Sequence, residues 1–289
     1  MSTKNEMDGA SAEAIRDLLT SIKYEVIPLK NVMEQIEALA AEAVVTVTAS
    51  PAKGPEATIE LSEVLAARGL TVIPHLSARM TPDRRYLERT LKRLDEAGID
   101  RAFVVGGDAT DPGEFFDALS LLQAMDDLGH NLAEVGIGCY PEGHPDISDE
   151  QLLQALHDKS PFADYMTTQM CFDPLVITDW IGEMRKAGIE LPVHIGLAGV
   201  APLHKLISIS ARIGIGDSSR FLAKNTSLVG RLVRPGGYAP DELLYQLAPA
   251  VLDGETGIEG LHMYSFNQVE STERWRHELL EALDEIITA

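Results

Sequence analysis

The sequence predicts an α/β fold, a closed (β/α)8 barrel of the TIM type. Eight short runs rich in apolar and β-branched residues recur along the chain, and each is followed by a longer amphipathic segment. The runs span residues 24–28, 43–48, 71–76, 101–105, 134–140, 165–169, 193–197 and 260–264. Strands that alternate with helices form parallel sheets, and eight such units in a chain of 289 residues fit a closed barrel better than an open sheet.

Helix boundary signals support this alternation. Thr81-Pro82-Asp83 precedes a helix predicted over residues 86–97, and Gly98 follows it, where a helix should end. A second helix is predicted over residues 115–128, after Asp111-Pro112-Gly113-Glu114. The long gap between the seventh and eighth strands predicts extra helices near residues 203–213, 219–229 and 240–252.

The first 22 residues precede the first predicted strand and carry apolar side chains at helical spacing. This spacing predicts a leading helix or a partly ordered extension. We therefore divide the chain into an N-terminal extension at residues 1–22 and a single barrel domain at residues 23–289.

Composition and charge limit the partners. The formal net charge of −21 repels phosphate backbones and anionic membrane surfaces, so neither nucleic acid nor a membrane is expected as a partner. No apolar run reaches the roughly 18 residues of a membrane-spanning helix, and the polar start lacks the pattern of a secretion signal. These features predict a cytoplasmic protein whose two cysteines, Cys139 and Cys171, are buried thiols. An anionic substrate would need a local basic patch, and Arg79, Arg84 and Arg85 form the densest early cluster.

Polar residues recur where the predicted strands end. Glu25 lies in the first strand, and the others end or follow later strands: His75, Asp108, Tyr140, His144 and Gln169. In a TIM barrel the carboxyl ends of the strands meet at one mouth, where catalytic residues lie. The sequence therefore predicts that these six side chains point towards one site.

Three features at the predicted strand ends, Glu25, the Gly106-Gly107 pair and Gln169, could each serve a ligand or the structure alone. Glu25 stands among apolar residues, where desolvation favours a protonated carboxyl that can act as a general acid, and a structural ion pair is an equal alternative. Gly106-Gly107 after the fourth strand allows a ligand to approach the backbone closely, or forms a plain tight turn. Gln169 could bind a ligand amide or the neighbouring backbone.

The loop Tyr140-Pro141-Glu142-Gly143-His144-Pro145 is stiffened by two prolines and presents an aromatic ring, a carboxylate and an imidazole. The histidines and cysteines lack the short spacing typical of metal ligands, so an organic ligand is favoured and no metal is expected. A merely structural loop is the remaining alternative.

Several motifs occur in the order found in one enzyme family. They are Tyr24-Glu25 with Pro28, Val45-Thr46-Val47-Thr48, Pro74-His75-Leu76, Gly107-Asp108, the Tyr-Pro-Glu-x-His-Pro loop at residues 140–145, Lys159, and Thr168-Gln169 with Phe172-Asp173. In these motifs the chain resembles the methylenetetrahydrofolate reductase family, in its short, catalytic-domain-only form. The resemblance covers nearly all of the chain from Lys23, and the catalytic domain of that family is a flavin-binding (β/α)8 barrel.

The resemblance implies an oxidoreductase of one-carbon metabolism that supplies methyl groups, as in methionine biosynthesis. Glu25 would be the general acid that opens the five-membered ring of 5,10-methylenetetrahydrofolate, and FAD reduced by NADH or NADPH would supply the hydride. Asp108 and Gln169, counted with Glu25 as catalytic, would bind the reduced folate together with Phe172. Contacts to FAD would come from Thr48, His75, Gly107, Asp108, Tyr140, His144 and Lys159. Self-association into a homo-oligomer would be in keeping with the family.

Three positions depart from the family pattern. Gly106 stands where the family commonly has a flavin-contacting arginine, Leu203 where it often has a stacking phenylalanine, and Gln268 where an arginine is common. These departures leave two alternatives open. One is a flavin-free or redirected folate-dependent enzyme, for example one linked to demethylation, and the other is a folate- or flavin-binding subunit without catalysis. The sequence does not distinguish NADH from NADPH.

Overall fold

The computed structural model describes residues 7–202, 204, 206, 233–234 and 237–289. Its strands are β1 (Lys23–Val26), β2 (Val44–Val47), β3 (Thr71–Ser77), β4 (Arg101–Val105), β5 (Glu134–Cys139), β6 (Tyr165–Thr168), β7 (Val193–Ala198), β8 (Val233–Arg234), β9 (Gly237–Tyr238) and β10 (Ile258–Tyr264). Eight of them form a closed parallel barrel in the order β1-β10-β7-β6-β5-β4-β3-β2, and β8 and β9 form a short antiparallel pair. The eight predicted strands are all present, so the predicted (β/α)8 barrel is confirmed.

The described helices are α1 (Gly9–Thr20), α2 (Val32–Ile36), α3 (Gly54–Ala66), α4 (Arg84–Glu96), α5 (Ala118–Leu128), α6 (Asp149–Lys159), α7 (Pro174–Lys186), α8 (Asp241–Asp253) and α9 (Val269–Thr288). The extra helix predicted at residues 240–252 is α8. Those predicted at 203–213 and 219–229, with Leu203, fall almost entirely outside the described residues. Among the helices that are described, none combines the length and apolar character needed to cross a membrane.

Helix boundaries follow local hydrogen bonds. The carboxylate of Asp83 accepts the Tyr86 N–H at 2.6 Å and caps α4, and Gly98 follows this helix with a φ of +70°, as the sequence predicts. The predicted start of α5 at residue 115 is wrong, because the helix begins at Ala118. Asp117 and Ser120 form a reciprocal capping box at this point, which satisfies the first N–H groups of the helix.

The predicted leading helix is present as α1. Its apolar face, including Ile15 and Leu19, is fully buried and packs against α8 and α9. An exposed ion pair between Arg16 Nε and Asp284 Oδ1, at 2.7 Å, joins α1 to α9. Burial of an apolar helix face against two other helices explains why this segment is ordered although it has no partner strand.

The interior of the barrel is unusually aromatic and polar. Ile73, Phe103 and Tyr165 form a small cluster of their own, separate from the large core that contains the helix-packed side chains. Phe103 contacts the ring of His75 at 4.9 Å, and Tyr165 stacks on His194 at 4.2 Å between centroids. TIM-barrel interiors are more commonly filled by Val, Ile and Leu. Imidazole and aromatic rings therefore occupy positions that packing alone would give to aliphatic residues.

Candidate active site

The central feature of the barrel mouth is a carboxyl group between two imidazoles. Glu25 lies on β1 with its side chain 15% exposed, and its Oε2 is 3.1 Å from Nε2 of His262 on β10. Nε2 of His75, on β3, lies 3.9 Å from the same oxygen. Both histidines are buried. Three different strands thus bring one acid and two imidazoles together near the carboxyl end of β1.

The backbone that carries Glu25 is fixed by the loop that follows β10. The Ser265 hydroxyl donates to the carbonyl oxygen of Glu25. The Asn267 side chain accepts the N–H of Ile27 at 2.8 Å and donates to its carbonyl oxygen at 2.9 Å. Asn267 has a φ of +55°, a left-handed conformation that asparagine tolerates better than most residues. These bonds set the direction in which Glu25 leaves the strand.

His75 is held as a neutral imidazole. Burial lowers its pKa to about 4, against the smaller opposing influence of the nearby Glu25 charge. Its Nε2 is buried and has no hydrogen-bond partner among the described residues. Buried polar atoms are normally paired, so an unpaired ring nitrogen at the barrel mouth is a natural contact for a bound molecule.

The turn after β4 brings backbone close to the end of β3. Gly107 has a φ of +84°, and a Cβ at this position would lie 2.0 Å from the Ser77 Oγ. The Arg79 guanidinium holds the turn from outside by donating to the Ala109 carbonyl oxygen at 2.7 Å. Asp108 follows at the surface and is exposed. A glycine is therefore required at residue 107 by both conformation and space.

We expect Gly107→Ala to lower the free energy of unfolding by about 1–3 kcal/mol, because the new methyl group combines a left-handed backbone with a steric overlap. Gly106→Ala is the matched control, since its φ is not in the left-handed region and its Cβ would meet nothing within 4 Å. The measurement is urea unfolding of the two variants. Equal stability of both would contradict the conformational requirement at residue 107.

The predicted stiff loop after β5 places Tyr140 and His144 in contact. Their rings meet edge to face with centroids 5.5 Å apart, and His144 Nδ1 accepts the Asp146 N–H at 3.2 Å. Burial raises the pKa of the Tyr140 hydroxyl, and negative charge nearby, including that of Asp108, raises it further. The hydroxyl therefore keeps its proton and can donate it to an acceptor at the mouth.

Lys159 and Tyr140 line one cavity of about 330 Å³ between β5, α6 and α7. Lys159 Nζ donates to the Gly138 carbonyl oxygen at 3.4 Å, and burial lowers the pKa of its ammonium group. His144 is not among the lining residues. At the end of β2, the backbone N–H of Thr48 donates to the Val26 carbonyl oxygen at 2.9 Å.

Gln169 and Phe172 have partners within the protein. The Gln169 side-chain oxygen accepts the N–H of Met170 at 3.0 Å, which is the backbone alternative that the sequence left open. Phe172 is 5% exposed and meets Tyr238 edge to face at 5.3 Å, in an apolar cluster that Tyr264 also contacts. Both residues follow β6 and so lie at the mouth end of the barrel.

Sequence reasoning missed His262 and Tyr264. The Tyr264 hydroxyl donates to the Thr168 carbonyl oxygen at 3.0 Å, and burial raises its pKa well above the usual range. The eighth strand was recognised from its apolar residues alone. The alternating order Gly260, His262, Tyr264 is a signal that could have found both, because alternate residues of a strand face the same side.

Glu25, His75 and His262 also have the residue types of a metal-binding set, with ligand atoms within 4.8 Å of one another. The direct hydrogen-bonding distance between Glu25 and His262 accounts for two of these three groups without an ion. The geometry of Glu25 and His262 therefore does not require an ion. The expectation that the chain needs no metal stays a prediction.

The protein is a TIM barrel with a polar mouth that contains a carboxylic acid at the carboxyl ends of its strands. Residues 22–216 match the family described as Methylenetetrahydrofolate reductase. The chain therefore belongs to the methylenetetrahydrofolate reductase family, and the resemblance seen in its motifs is confirmed.

The chain is similar to two curated fungal proteins. It is 25% identical to Methylenetetrahydrofolate reductase 1 of Schizosaccharomyces pombe over 210 residues, which are 69% of this chain and 34% of that protein. It is 23% identical to Methylenetetrahydrofolate reductase 2 of Saccharomyces cerevisiae over 216 residues, which are 69% of this chain and 35% of that protein. The chain thus matches about a third of the length of these relatives.

A crystal structure of a protein described as a phosphonomutase, from Burkholderia cenocepacia, covers 98% of this chain and 99% of its own, with 14% identity and a TM-score of 0.46. A similarity of this size carries no argument about function.

Proposed function

We propose that the protein reduces 5,10-methylenetetrahydrofolate to 5-methyltetrahydrofolate, with NADH or NADPH as electron donor and FAD as the bound hydride carrier. The observation that carries the proposal is the Glu25 carboxyl, 15% exposed and bonded to a buried imidazole at the mouth of a barrel of this family. A partly buried acid at this position can protonate a substrate nitrogen, which is the chemical step that ring opening requires.

The residues present fit FAD. His75 Nε2 and Ser77 Oγ, which have no hydrogen-bond partner among the described residues, offer polar contacts near the ends of β3 and β4, where the backbone of Gly107 approaches closely. Tyr140 and Lys159 line a separate cavity beside β5. The residues that would hold FAD are Thr48, His75, Gly107, Asp108, Tyr140, His144 and Lys159. When bound, FAD accepts a hydride from the nicotinamide and delivers it to the folate.

In this proposal Glu25 donates its proton to the ring nitrogen of the folate as the carbon–nitrogen bond breaks, which leaves a cationic methylene carbon ready to accept hydride. A neutral His75 adds no positive charge beside that cation. Asp108, Gln169 and Phe172 would bind the pterin. The Gln169 side-chain oxygen is already used by Met170, so its NH₂ group is the part that faces a ligand without rearrangement.

The test is the absorbance and turnover of the purified protein. Bound FAD should give the visible spectrum of an oxidised flavin, NADH or NADPH should bleach it, and methylenetetrahydrofolate should restore it while methyltetrahydrofolate accumulates. A protein that neither carries nor binds FAD, and that leaves methylenetetrahydrofolate unchanged, would contradict the proposal. Comparing NADH with NADPH in the bleaching step assigns the donor.

Gly106 favours one alternative, in which hydride passes directly from NADH or NADPH to the folate without flavin. The family arginine is missing there, and a Cβ added at Gly106 would meet no atom within 4 Å. Gly106→Arg should tighten FAD binding if the flavin is used. Turnover that is independent of added FAD, in parent and variant alike, would favour the flavin-free enzyme. A redirected folate reaction or a binding subunit without catalysis predicts no methyltetrahydrofolate in either case.

A further inference from the structure

His262 occupies a position that decides how Glu25 can carry its proton. The imidazole is 1% exposed, its Nε2 is 3.1 Å from Glu25 Oε2, and its Nδ1 is buried without a partner among the described residues. A neutral imidazole has a single N–H. Because buried N–H groups without a partner are rarer than buried acceptors without one, this arrangement favours the proton on Nε2, directed at Oε2.

This hydrogen bond gives the two carboxyl oxygens of Glu25 different roles. If Oε2 accepts the Nε2–H of His262, the acidic proton of a protonated Glu25 lies on Oε1. When that proton leaves, the carboxyl becomes charged, and a hydrogen bond to a charged oxygen is roughly twice as strong as a neutral one. A hydrogen bond that strengthens during proton transfer stabilises the transition state more than the ground state, and so lowers the barrier of that step.

Within the part of the chain that the structure describes, two further groups near Glu25, His75 and Tyr264, are not placed to do the same. His75 Nε2 is 3.9 Å away, which is too long for a hydrogen bond. The Tyr264 hydroxyl donates to the Thr168 carbonyl oxygen. The ring of His262 is held between Tyr264 and Phe103, with centroids at 4.9 and 6.0 Å, so its orientation towards Glu25 is maintained by packing.

We propose that His262 is a positioning residue for the acid step: its Nε2–H fixes the Glu25 proton on Oε1 and stabilises the carboxylate as it forms. This inference rests on the proposed function, because it assigns a partner to the acid named there. It adds a role for a residue that neither the motifs nor the family resemblance singled out.

The first test separates the two half-reactions of protein loaded with FAD. His262→Leu should slow hydride transfer to methylenetetrahydrofolate about 10- to 100-fold, the effect of losing a hydrogen bond to a charged group. Flavin reduction by NADH or NADPH needs no acid and should be unchanged. His262→Gln keeps a neutral N–H donor and should restore much of the rate. A His262→Leu protein that loses both half-reactions equally would overturn the proposal, as would a His262→Gln protein no better than it.

The second test is a double-mutant cycle with Glu25→Gln. In that background no carboxylate forms, so His262→Leu should cause little further loss. The same loss in both backgrounds would overturn the proposal. A Glu25→Gln protein with the parental rate would remove the acid from the proposed function and this inference with it, whereas an inactive Glu25→Gln beside a fully active His262→Leu would remove only the inference.

The third test needs neither flavin nor activity. Nitrogen NMR of protein labelled in its histidines, with the His262 signals identified by their loss in His262→Leu, should show a protonated Nε2 and a bare Nδ1. A proton on Nδ1 in the parent protein would overturn the proposal. Thermal unfolding of each variant establishes that it is folded before its rates or spectra are compared.

Discussion

The Glu25→Gln protein should reduce methylenetetrahydrofolate about 10²- to 10⁴-fold more slowly than the parent, the usual contribution of a general acid. Glutamine has nearly the same shape, and its side-chain oxygen can still accept the His262 N–H. It has no acidic proton to give to the leaving nitrogen of the folate ring. The loss should therefore fall on the rate of ring opening and hydride transfer to the folate, and not on folding.

The two half-reactions give this prediction its control. Bleaching of FAD by NADH or NADPH should proceed at the parental rate in Glu25→Gln, because that hydride transfer involves no proton from Glu25. Glu259→Gln, an exposed acid on β10 and away from Glu25, should leave both half-reactions unchanged. Stopped-flow absorbance measures both steps. A parental rate of folate reduction in Glu25→Gln would contradict the acid assignment.

The largest effect on stability is expected at the opposite end of the barrel, where a lysine is buried. Lys23 is 6% exposed, and its Nζ bonds to the Glu134 carboxylate at 2.5 Å while lying 3.7 Å from the Tyr165 ring centroid. Burial lowers the pKa of Lys23, and the Glu134 carboxylate opposes that shift. Arg101 lies 3.5 Å from the same carboxylate. Glu134 thus neutralises a cation that has little access to water.

Glu134→Ala should lower the free energy of unfolding by about 3 kcal/mol, because it leaves the buried ammonium group of Lys23 without its partner. Lys23→Met should cost less, since Glu134 is more exposed and keeps Arg101 nearby. Joining the two as Lys23→Met with Glu134→Leu should recover most of the stability, as replacing both charges by apolar groups is often nearly neutral. Urea midpoints of the three proteins measure the effect. A double variant less stable than Glu134→Ala would contradict this explanation.

Local sequence patterns were sufficient for most of the fold. The β-branched runs, such as the one that became β4 at Arg101–Val105, specify strands because their side chains suit a pleated, buried surface. The helix α4, predicted over residues 86–97, lies at Arg84–Glu96, and both ends agree within two residues because Asp83 and Gly98 act within one turn of them. The start of α5 was placed three residues too early because Pro112 also resembles a helix start, and the capping box at Asp117 and Ser120 decides the boundary.

The candidate site was predictable only in part. Glu25 and His75 stand out as ionisable residues within apolar strands, and the loop from Tyr140 to His144 stands out by its prolines. Whether the Gln169 amide would use the neighbouring backbone could not be read from the sequence, because a flexible side chain has several partners within reach. In the structure, the Gln169 side-chain oxygen accepts the Met170 N–H.

The alternation of strands and helices, the polar strand ends and the family motifs could be read from the chain directly, because each depends on residues that are close together in sequence. Which side chains meet depends instead on how distant segments pair in the folded barrel. His262 lies 237 positions after Glu25, and the two become neighbours because β10 pairs with β1 when the barrel closes. No local sequence pattern predicts that pairing, so His262 could be recognised as the partner of Glu25 only in the folded protein.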